Sequence, residues 1–476
     1  MAGFTVMSLG SKRRLLWALA WCALAPCAGA GETGNLGPDR ITQAAITEGG
    51  LAIDQIRAGG LRIFTTPFNK LDGYGDGPMN AADTISPGGR PTLGGNGTLL
   101  RVNGLDAQTC LECHSIISNA SIPAELGIGG VGGSNSNAVI KPLSMEPADL
   151  RDLDGAADFD GRFANPPFLF GAGGVELLAL EMTRDLRRLR QQALDRPGRR
   201  VALRSKGVDF GSIVVDGAGE VDTTGVVGVD ADLIVRPFGR KGEFATTRDF
   251  DVDAMQFHFG MQPVEVVGAG VDRDGDGVVN EILVGELSAL HVFAATSPPS
   301  RRVRLSAAAR QGERLFGAIG CGECHKPALD TEHRQLPLRF PADPLDPSAN
   351  VYLQVDLAAR RTGFARNAQG GVTVPLFADL KRHDMGDGLR ENFAQASERR
   401  NREFTTARLW GVADTAPYLH DGRATTLTEA ILLHGGEAQA ARDQFAGLRD
   451  RQQDALLAFL RSLRTPERPF ADLLRR

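Results

Sequence analysis

Cysteine is scarce in this chain, which has only six in 476 residues. Two of them, Cys22 and Cys27, fall in an N-terminal stretch that we expect to be removed, and the other four form two short motifs. No cysteine is left over for a structural disulfide, which excludes a small disulfide-braced fold. The chemistry of the remaining thiols therefore belongs to the two motifs.

The sequence also lacks a second apolar run long enough to span a bilayer, which takes about 20 residues. Its leading run, from Leu15 to Ala25, follows the basic group Lys12-Arg13-Arg14 and precedes the small residues Ala28-Gly29-Ala30. This pattern is typical of a secretory signal peptide. We predict that residues 1–30 are removed, and that the protein is exported to a bacterial periplasm and has no membrane span.

A strong excess of positive charge is absent too. The chain carries 53 Lys and Arg against 58 Asp and Glu, and loss of the three leader cations makes the net charge −8. Because the sequence also has no long run of basic residues, its charge distribution disfavours a nucleic-acid-binding function. A mildly acidic surface suits a small basic or dipolar redox protein as partner, although solubility alone would account for it. The oligomeric state, including a homodimer, is left open.

What the sequence does contain is the pattern Cys-x-x-Cys-His twice, at residues 110–114 and 321–325. This is the attachment signature of c-type haem. Two thiols one helical turn apart can each add to a vinyl group of one porphyrin, and the next residue brings an imidazole to the iron. Paired zinc knuckles are the alternative, but these usually lie about 15–20 residues apart. We predict two covalently bound haem c groups, the first held by Cys110, Cys113 and His114 and the second by Cys321, Cys324 and His325.

A haem iron either takes a second axial ligand or keeps that position open for a substrate. The chain has only eight histidines, and two are assigned above. The remaining candidates are His258, His291, His333, His383, His420 and His434, with Met145, Met255, Met261 and Met385 as possible thioether ligands.

Hydrophobic periodicity indicates a mainly helical chain with a β insertion. Apolar residues recur at helical spacing from Gly174 to Asp195, whereas residues 200–238 alternate in short runs separated by glycine, as in antiparallel strands. Residues 31–100 are rich in Gly, Pro and Asn, which predicts ordered surface loops.

The pair Pro298-Pro299 separates a C-terminal part with its own pattern. A helix from Ser306 to Phe316 would lead directly into the second motif, and a helix from Gln452 to Leu463 would close the domain, which is the layout of a cytochrome c fold. We therefore predict a mainly α protein of two cytochrome c-like haem domains, residues 31–300 and 301–476. The first would carry β-hairpin insertions and long ordered loops.

The run Thr415–Ala430 contains Ala-Pro-Tyr-Leu-His-Asp-Gly and resembles a segment of the bacterial di-haem cytochrome c peroxidases. Its continuation, residues 431–437, resembles the branch of di-haem oxidoreductases. The similarity includes both haem motifs and is densest over residues 301–465. In the superfamily, the position fourteen residues after the histidine of the Asp-Gly turn carries the distal ligand of the C-terminal haem. That histidine is His420 here, so the resemblance implies His434 as the partner of His325, the alternative being a histidine that only packs against the haem.

The resemblance also implies a function. It is that of a periplasmic di-haem oxidoreductase of the peroxidase type, which reduces hydrogen peroxide or a related oxidant with electrons from a small cytochrome or cupredoxin. Two alternatives stay open: a di-haem oxygenase or protein-modifying oxidase, and a non-catalytic di-haem electron-transfer protein. The long N-terminal part argues against the last, because an electron carrier needs less chain.

The distal side of the first haem is less well defined. Better-known members of the superfamily place a displaceable histidine soon after the first motif, but no histidine follows His114 here until His258. Peroxide cleavage needs a group that moves a proton between the two oxygens. We predict Met255–Gln262 as the distal wall, with His258 as ligand or acid/base catalyst and Glu265 as a further acid/base catalyst. A core segment without a catalytic role is the alternative.

An acidic loop follows this stretch. Asp272, Asp274 and Asp276 occupy positions 1, 3 and 5, as in calcium loops, and a glycine follows at position 6. Glu281 falls at position 10 instead of 12, so the loop is not an EF-hand. We predict a calcium site at these four residues, with a solvated acidic turn as the alternative.

His420 and Trp410 are two further residues for which the sequence suggests a role. His420 lies in a Gly/Asp turn, where we expect it to support the loop or the haem propionates. Trp410 is the only tryptophan outside the leader. An electron relay is conceivable, because the superfamily often has an aromatic residue between its haems, but we expect a core aromatic.

Overall fold

The computed structural model described here defines residues 32–78, 80, 82–83, 88–89, 100–101, 104–105, 107–116, 137–145, 159–343, 346, 348–391 and 397–474. The predicted signal peptide, residues 1–30, lies outside the described residues. Residues Gly34–Arg476 belong to one structural unit. No helix among the described residues is long and apolar enough to cross a membrane.

Eleven α-helices occur in the described part of the chain. They are α1 (Gln43–Thr47), α2 (Ile53–Thr65), α3 (Ala172–Leu194), α4 (Thr247–Phe259), α5 (Val264–Val267), α6 (Val284–Ala295), α7 (Ala307–Ala318), α8 (Glu398–Arg402), α9 (Leu427–Leu432), α10 (Gln439–Ala446) and α11 (Asp450–Leu460).

Helix α3 confirms the amphipathic helix predicted from Gly174 to Asp195. Its apolar stripe, Val175, Leu178, Met182 and Leu186, is fully buried, as spacings of three and four residues require. Helices α7 and α11 confirm the pair predicted around the second motif. Ser306 caps α7 by accepting a hydrogen bond from the Ala309 amide at 3.1 Å.

Helix α2 corrects the prediction that residues 31–100 form only loops. Ile56, Ile63 and Phe64 are buried, and the Phe64 ring lies 5.4 Å from that of Phe293 on α6. A Cβ at Gly60 would collide with the carbonyl oxygen of Ala289 on α6. The glycine that weakens the helical pattern in the sequence is therefore what lets the two helices approach closely.

Strands form six small sheets within the described residues. The sheets, in strand order, are β2 (Gly104–Leu105), β1 (Leu100–Arg101), β3 (Asn137–Met145) and β4 (Phe159–Ala164); β5 (Arg200–Ser205), β6 (Val208–Val215) and β7 (Val221–Asp222); β16 (Leu463–Arg464) and β8 (Arg301–Arg302); β12 (Ala365–Arg366), β13 (Val372–Val374) and β9 (Leu329–Asp330); β10 (Gln335–Arg339) and β11 (Val351–Asp356); and β14 (Arg382–Asp384) and β15 (Glu403–Thr405). All the registered pairs are antiparallel, and β5, β6 and β7 confirm the hairpins predicted for residues 200–238.

The strands after residue 301 were not predicted. They are two to six residues long, so none carries more than three buried side chains and none shows a strong alternation. Leu336 and Leu338 on β10 face inward with Val355 on β11, and their pairing depends on partners about 20 residues away. A short strand of this kind is specified by its neighbours more than by its own sequence.

The buried apolar side chains form two clusters. The larger combines residues from α2, α3, α4 and α6 with residues 329–380, and Cys110 and Cys113 pack against it. The smaller joins Phe316 of α7 to Phe459 of α11, and Cys321 packs against it. Each haem motif thus borders a different cluster, while the division into domains at residue 300 stays a prediction.

Candidate functional site: two Cys-x-x-Cys-His turns and their surroundings

The two motifs fold into the same local structure. Each begins with a 3₁₀ turn, Cys110–Glu112 in the first and Cys321–Glu323 in the second. The amide of His114 donates to the carbonyl of Cys110 at 2.8 Å, and that of His325 donates to the carbonyl of Cys321 at 3.0 Å. None of the four cysteines forms a disulfide among the described residues. Each turn therefore presents two thiols and an imidazole with the spacing that haem c attachment needs.

His114 is held as a neutral imidazole. Its Nδ1 donates a hydrogen bond to the carbonyl oxygen of Pro167 at 2.7 Å, which leaves Nε2 for the iron. Burial lowers its pKa to about 4 against the opposing effect of this bond, and the charge of His258 adds to the lowering. The ring stands edge-on to Phe250 at 6.2 Å.

The second motif has the same support and, in addition, a second imidazole. Nδ1 of His325 donates to the carbonyl of Phe377 at 3.1 Å, and Nδ1 of His434 donates to the carbonyl of Ala430 at 2.7 Å. The centres of the two imidazole rings lie 6.4 Å apart. Burial lowers both pKa values, that of His325 to about 4. Both side chains are therefore neutral at physiological pH.

That ring separation fits one iron between the two imidazoles. A metal–imidazole nitrogen bond is about 2 Å long. The path from one ring centre through its Nε2, the metal and the other Nε2 to the second ring centre is therefore about as long as the observed separation. Because both Nδ1 atoms are used in hydrogen bonds, the free nitrogen of each ring is Nε2. The residues present thus fit a haem iron bound by two imidazoles, and the structure brings His434 close to His325.

His383 lies beside the second motif and is paired twice. Its Nε2 bonds to the Asp379 carboxylate at 2.8 Å and its Nδ1 to Glu437 at 2.7 Å, while the Cys324 sulfur is 3.8 Å from Nδ1. Burial opposes the charged imidazole, but these bonds outweigh it and raise the pKa of His383 to about 11. Cys324, Asp379 and His383 are close enough for one metal ion. Both His383 nitrogens already face carboxylates, however, so neither has a lone pair for an ion.

The other histidine candidates have partners that account for them. His291 pairs with Glu176 at 2.9 Å, and His333 with Glu181 at 3.1 Å. His420 stacks on Phe404 at 4.3 Å. These contacts support structural roles, as predicted for His420.

Helix α4 lies next to the first motif. It carries Phe250, which contacts His114, and His258, whose charge affects the pKa of His114. It also carries Asp251, which the sequence analysis missed. Burial and then the Asp251 charge raise the pKa of the Cys110 thiol, so this carboxyl faces the motif. The spacing of Asp251, Met255 and His258 along one helix face was the signal in the sequence.

The carboxyl group of Asp251 is unusual in its environment. Its Oδ2 is buried and has no hydrogen-bond partner among the described residues. Burial raises its pKa well above the usual range, although nearby Arg248 acts in the opposite direction. Burial of this kind favours the protonated form of a carboxyl group.

The predicted acid/base candidate Glu265 is differently placed. Arg248 donates to its two carboxylate oxygens at 2.5 and 3.4 Å. Burial raises the pKa of Glu265 despite this pairing. Within the described residues no contact joins Glu265 to the first motif.

The acidic loop has the features of a cation site. Single carboxylate oxygens of Asp272, Asp274 and Asp276 lie within 4.8 Å of one another. Both Asp274 oxygens and Oε1 of Glu281 are buried without a hydrogen-bond partner among the described residues. Burial, and then the neighbouring acids, raise the pKa of Asp274 to about 7, and burial with the same acids raises that of Glu281 to about 9. Buried carboxylates are rarely left unpaired unless a cation completes the site.

Two further side chains, those of Trp410 and Arg408, have polar groups without the usual partners. Trp410 is buried and packs against Gly171, and its Nε1 has no hydrogen-bond partner among the described residues. Burial alone lowers the pKa of Arg408 to about 10. Arg408 donates to the carbonyl of Pro237 at 3.3 Å but has no acidic partner in the described part of the chain. An unpaired buried guanidinium suits an anionic group such as a haem propionate.

Two sequence comparisons bear on the resemblance to a known family. Residues 359–463 match the family model described as "Di-haem oxidoreductase, putative peroxidase". The cytochrome-c peroxidase IdrP1 of Denitromonas iodatirespirans is 30% identical over 173 residues, which are 35% of this chain and 43% of that protein. The alignment therefore spans less than half of the relative. Both matches support the resemblance to the di-haem peroxidase-like superfamily.

Structural comparisons give weaker likenesses. The hydrazine synthase of Kuenenia stuttgartiensis, solved under xenon pressure, is 18% identical and aligns over 45% of this chain and 60% of its own, with a TM-score of 0.25. A MauG-like protein associated with microbial copper homeostasis is 15% identical over 60% of this chain and 89% of its own, with a TM-score of 0.27. Neither likeness is strong enough to support an argument.

Proposed function

We propose that this chain is a periplasmic di-haem enzyme that reduces hydrogen peroxide or a related small oxidant. The match of residues 359–463 and the cytochrome-c peroxidase relative support its assignment to the di-haem peroxidase-like oxidoreductases. In this proposal residues 1–30 are the export signal. Cys110 and Cys113 attach one haem c, and Cys321 and Cys324 attach the other. A small cytochrome or cupredoxin supplies the electrons.

The observation that carries the proposal is the inequality of the two sites. Two neutral imidazoles, His325 and His434, face each other at 6.4 Å in the second. In the first, His114 is fixed as a proximal ligand, and α4 brings a histidine and a buried carboxyl close to the motif. A site saturated with ligands suits electron storage, whereas a site next to proton-carrying groups suits chemistry on a substrate.

When bound, the two haems supply the electrons for H2O2 + 2 H+ + 2 e− → 2 H2O. The side chains supply the protons and the positions. Asp251, whose buried Oδ2 has no hydrogen-bond partner among the described residues, would carry a proton to the substrate, and His258 would do so through a ring nitrogen. Glu265 would have to leave Arg248 before it could act on a substrate. Arg408 would pair with a haem propionate, which would give its charge the acidic partner that the described residues do not provide.

We also propose a calcium ion at Asp272, Asp274, Asp276 and Glu281. Calcium takes six to eight oxygen ligands, commonly carboxylates. The buried oxygens of Asp274 and Glu281 support this role, because a divalent cation would neutralise charges that otherwise repel one another. Glu281 Oε2 accepts a hydrogen bond from the Gln262 amide at 2.6 Å, so the site is tied to the chain just after α4.

The experiment that tests the function is rapid mixing of the purified holoprotein with stoichiometric hydrogen peroxide, starting with one haem reduced. Fast loss of the ferrous absorption band, followed by steady turnover with a reduced small cytochrome, is the expected result. A protein with both Cys110 and Cys113 replaced by Ala is the matched control, since it should keep the second haem but lose turnover.

Two other outcomes would contradict the proposal. Inertness towards peroxide together with a reaction with O2 would indicate an oxygenase or a protein-modifying oxidase. Inertness towards both, with low-spin haems at every potential, would indicate an electron-transfer protein.

A further inference from the structure

The segment from Phe377 to Met385 supports both sides of the second haem site. On the proximal side, the carbonyl of Phe377 accepts the Nδ1 hydrogen bond of His325 at 3.1 Å. Further along, His383 lies 3.8 Å from the sulfur of Cys324. The end of the segment reaches the turn that follows His434. One stretch of nine residues therefore touches the structures that carry both imidazoles.

Glu437 makes the contact on the distal side. It lies three residues after His434, in the 3₁₀ turn Gly436–Ala438. Its Oε2 accepts from His383 Nδ1 at 2.7 Å, and its Oε1 accepts from the Asp384 amide at 2.9 Å. Both carboxylate oxygens thus bind strand β14, one through the His383 side chain and the other through the Asp384 backbone. Two bonds to different groups restrict the turn more than one bond would.

Glu437 contacts His383, which in turn contacts Asp379, and this last residue is buried. Asp379 is 2% exposed, and its Oδ2 bonds to His383 Nε2 at 2.8 Å. The other oxygen, Oδ1, accepts from the Thr406 hydroxyl at 2.7 Å. The buried Asp379 carboxylate therefore fixes the orientation of the His383 ring, so that Nδ1 points towards Glu437.

The turn that carries His434 needs such an anchor. Helix α9 ends at Leu432, and His434 lies beyond it. Leu432 and Leu433 are 44% and 36% exposed, so apolar packing holds the turn only weakly. A two-glycine link then joins His434 to Glu437, and Gly436 has a φ of +53°, where L side chains are rare. The link packs against Asp384 and Gly386, where a Cβ on Gly436 would collide with the backbone, so the position of Glu437 is transmitted to His434.

We propose that Glu437, through His383 and Asp379, positions His434 as the second axial ligand of the haem attached to Cys321 and Cys324. This rests on the haem arrangement of the proposed function. Glu437 is a positioning residue and touches neither the haem iron nor a substrate. Because the Glu437 side chain is half exposed, replacing it should loosen the turn without opening the core.

The test measures the spin state of the ferric holoprotein by electron paramagnetic resonance and visible absorption. The variants are Glu437→Ala, Glu437→Gln and His434→Ala, with Asp443→Asn as the matched control. Asp443 is an exposed acid on α10 whose partner is Arg442. His434→Ala defines the spectrum of the second haem without its distal imidazole. Circular dichroism and covalent haem content check that each variant folds.

Glu437→Ala should lose the low-spin signal that His434→Ala loses, because the population with His434 detached rises roughly tenfold or more when a charge-assisted hydrogen bond is removed. Added imidazole should restore the low-spin signal. Glu437→Gln should keep it, since an amide oxygen can still accept a hydrogen bond. Asp443→Asn should match the wild type.

The outcomes separate the two proposals. A wild-type protein without a low-spin bis-imidazole signal would contradict the haem arrangement itself. A wild type with that signal and a Glu437→Ala protein that retains it would overturn only the positioning role. A Glu437→Ala signal that is lost but not restored by imidazole would also overturn it, because the haem and not His434 would then have moved.

Discussion

The two haem motifs have nearly the same backbone but different surroundings. In both, a 3₁₀ turn presents two cysteines, and the following histidine gives its Nδ1 proton to a backbone carbonyl. Around His325 the tertiary structure adds a second imidazole and a network of charged groups that holds the adjoining turn. Around His114 it adds a helix with an isolated buried carboxyl and a histidine.

The difference teaches that the local motif fixes only the attachment and the proximal ligand. The environment on the opposite side comes from segments that are distant in sequence, 109 residues for His434 and more than 130 for Asp251. Identical motifs can therefore be placed in a saturated site and in one prepared for proton transfer. The predictions below test that contrast.

The largest effect is expected when one attachment pair is removed. Replacing Cys321 and Cys324 by Ala should remove one of two covalent haems and the bis-imidazole signal together. Replacing Cys110 and Cys113 should remove the other haem and leave that signal. Intact-protein mass and spectra of the same samples measure both. If either double variant retains two covalent haems, the attachment sites are wrong.

The next effect concerns the candidate distal histidines. His434→Ala should convert the second haem to high spin, and His434→Met should restore six-coordination with a higher reduction potential, because thioether ligation favours ferrous iron. His258→Ala should leave the bis-imidazole signal intact and slow the reaction with peroxide. Spectroelectrochemistry and stopped-flow absorbance measure these properties. Loss of the bis-imidazole signal in His258→Ala would contradict the pairing of His325 with His434.

A smaller effect is expected at the acidic loop. A bound ion at 100 times its Kd should raise the free energy of unfolding by about 2.7 kcal/mol. Calcium added to the chelator-treated protein should therefore raise its melting temperature, and Asp274→Asn should abolish that rise. Asp216→Asn is the control, because Asp216 only accepts turn hydrogen bonds from Ala218 and Glu220. An equal calcium response in Asp274→Asn would disprove the site.

The smallest effect is expected at Arg408. Loss of a positive charge near a propionate disfavours the added electron, so Arg408→Gln should lower one haem potential by roughly 60 mV or less, the one-electron equivalent of a tenfold change. Arg408→Lys keeps the charge and is the control. Potentiometric titration of both haems gives the measurement. Unchanged potentials in Arg408→Gln would place the guanidinium away from the haems.

The sequence was most informative where the structure is local. Helices α3, α7 and α11 follow from apolar spacing, and β5, β6 and β7 from short alternating runs. Helix α2 was missed because Gly59 and Gly60 obscure its pattern, although they permit its contact with α6. The strands after residue 301 were missed because strands of two to six residues depend on their partners.

The site residues also fall into a group that the local sequence indicates and a group that depends on tertiary contacts. Both attachment motifs, the acidic loop and His434 could be named from the sequence, the last through a family resemblance. His383, Glu437 and Arg408 could not, because nothing in their local sequence distinguishes them from surface charges. Their roles come from burial and from partners elsewhere in the chain. Asp251 was missed, although its spacing from Met255 and His258 places all three on one helix face.

The sequence by itself determined where haem can be attached, since two thiols and an imidazole within five residues need no tertiary contact to be in place. Only the tertiary structure decided what faces each attached group. A buried charge changes its chemistry through the loss of water and the nearness of other charges, and both depend on how the distant segments of the chain pack together.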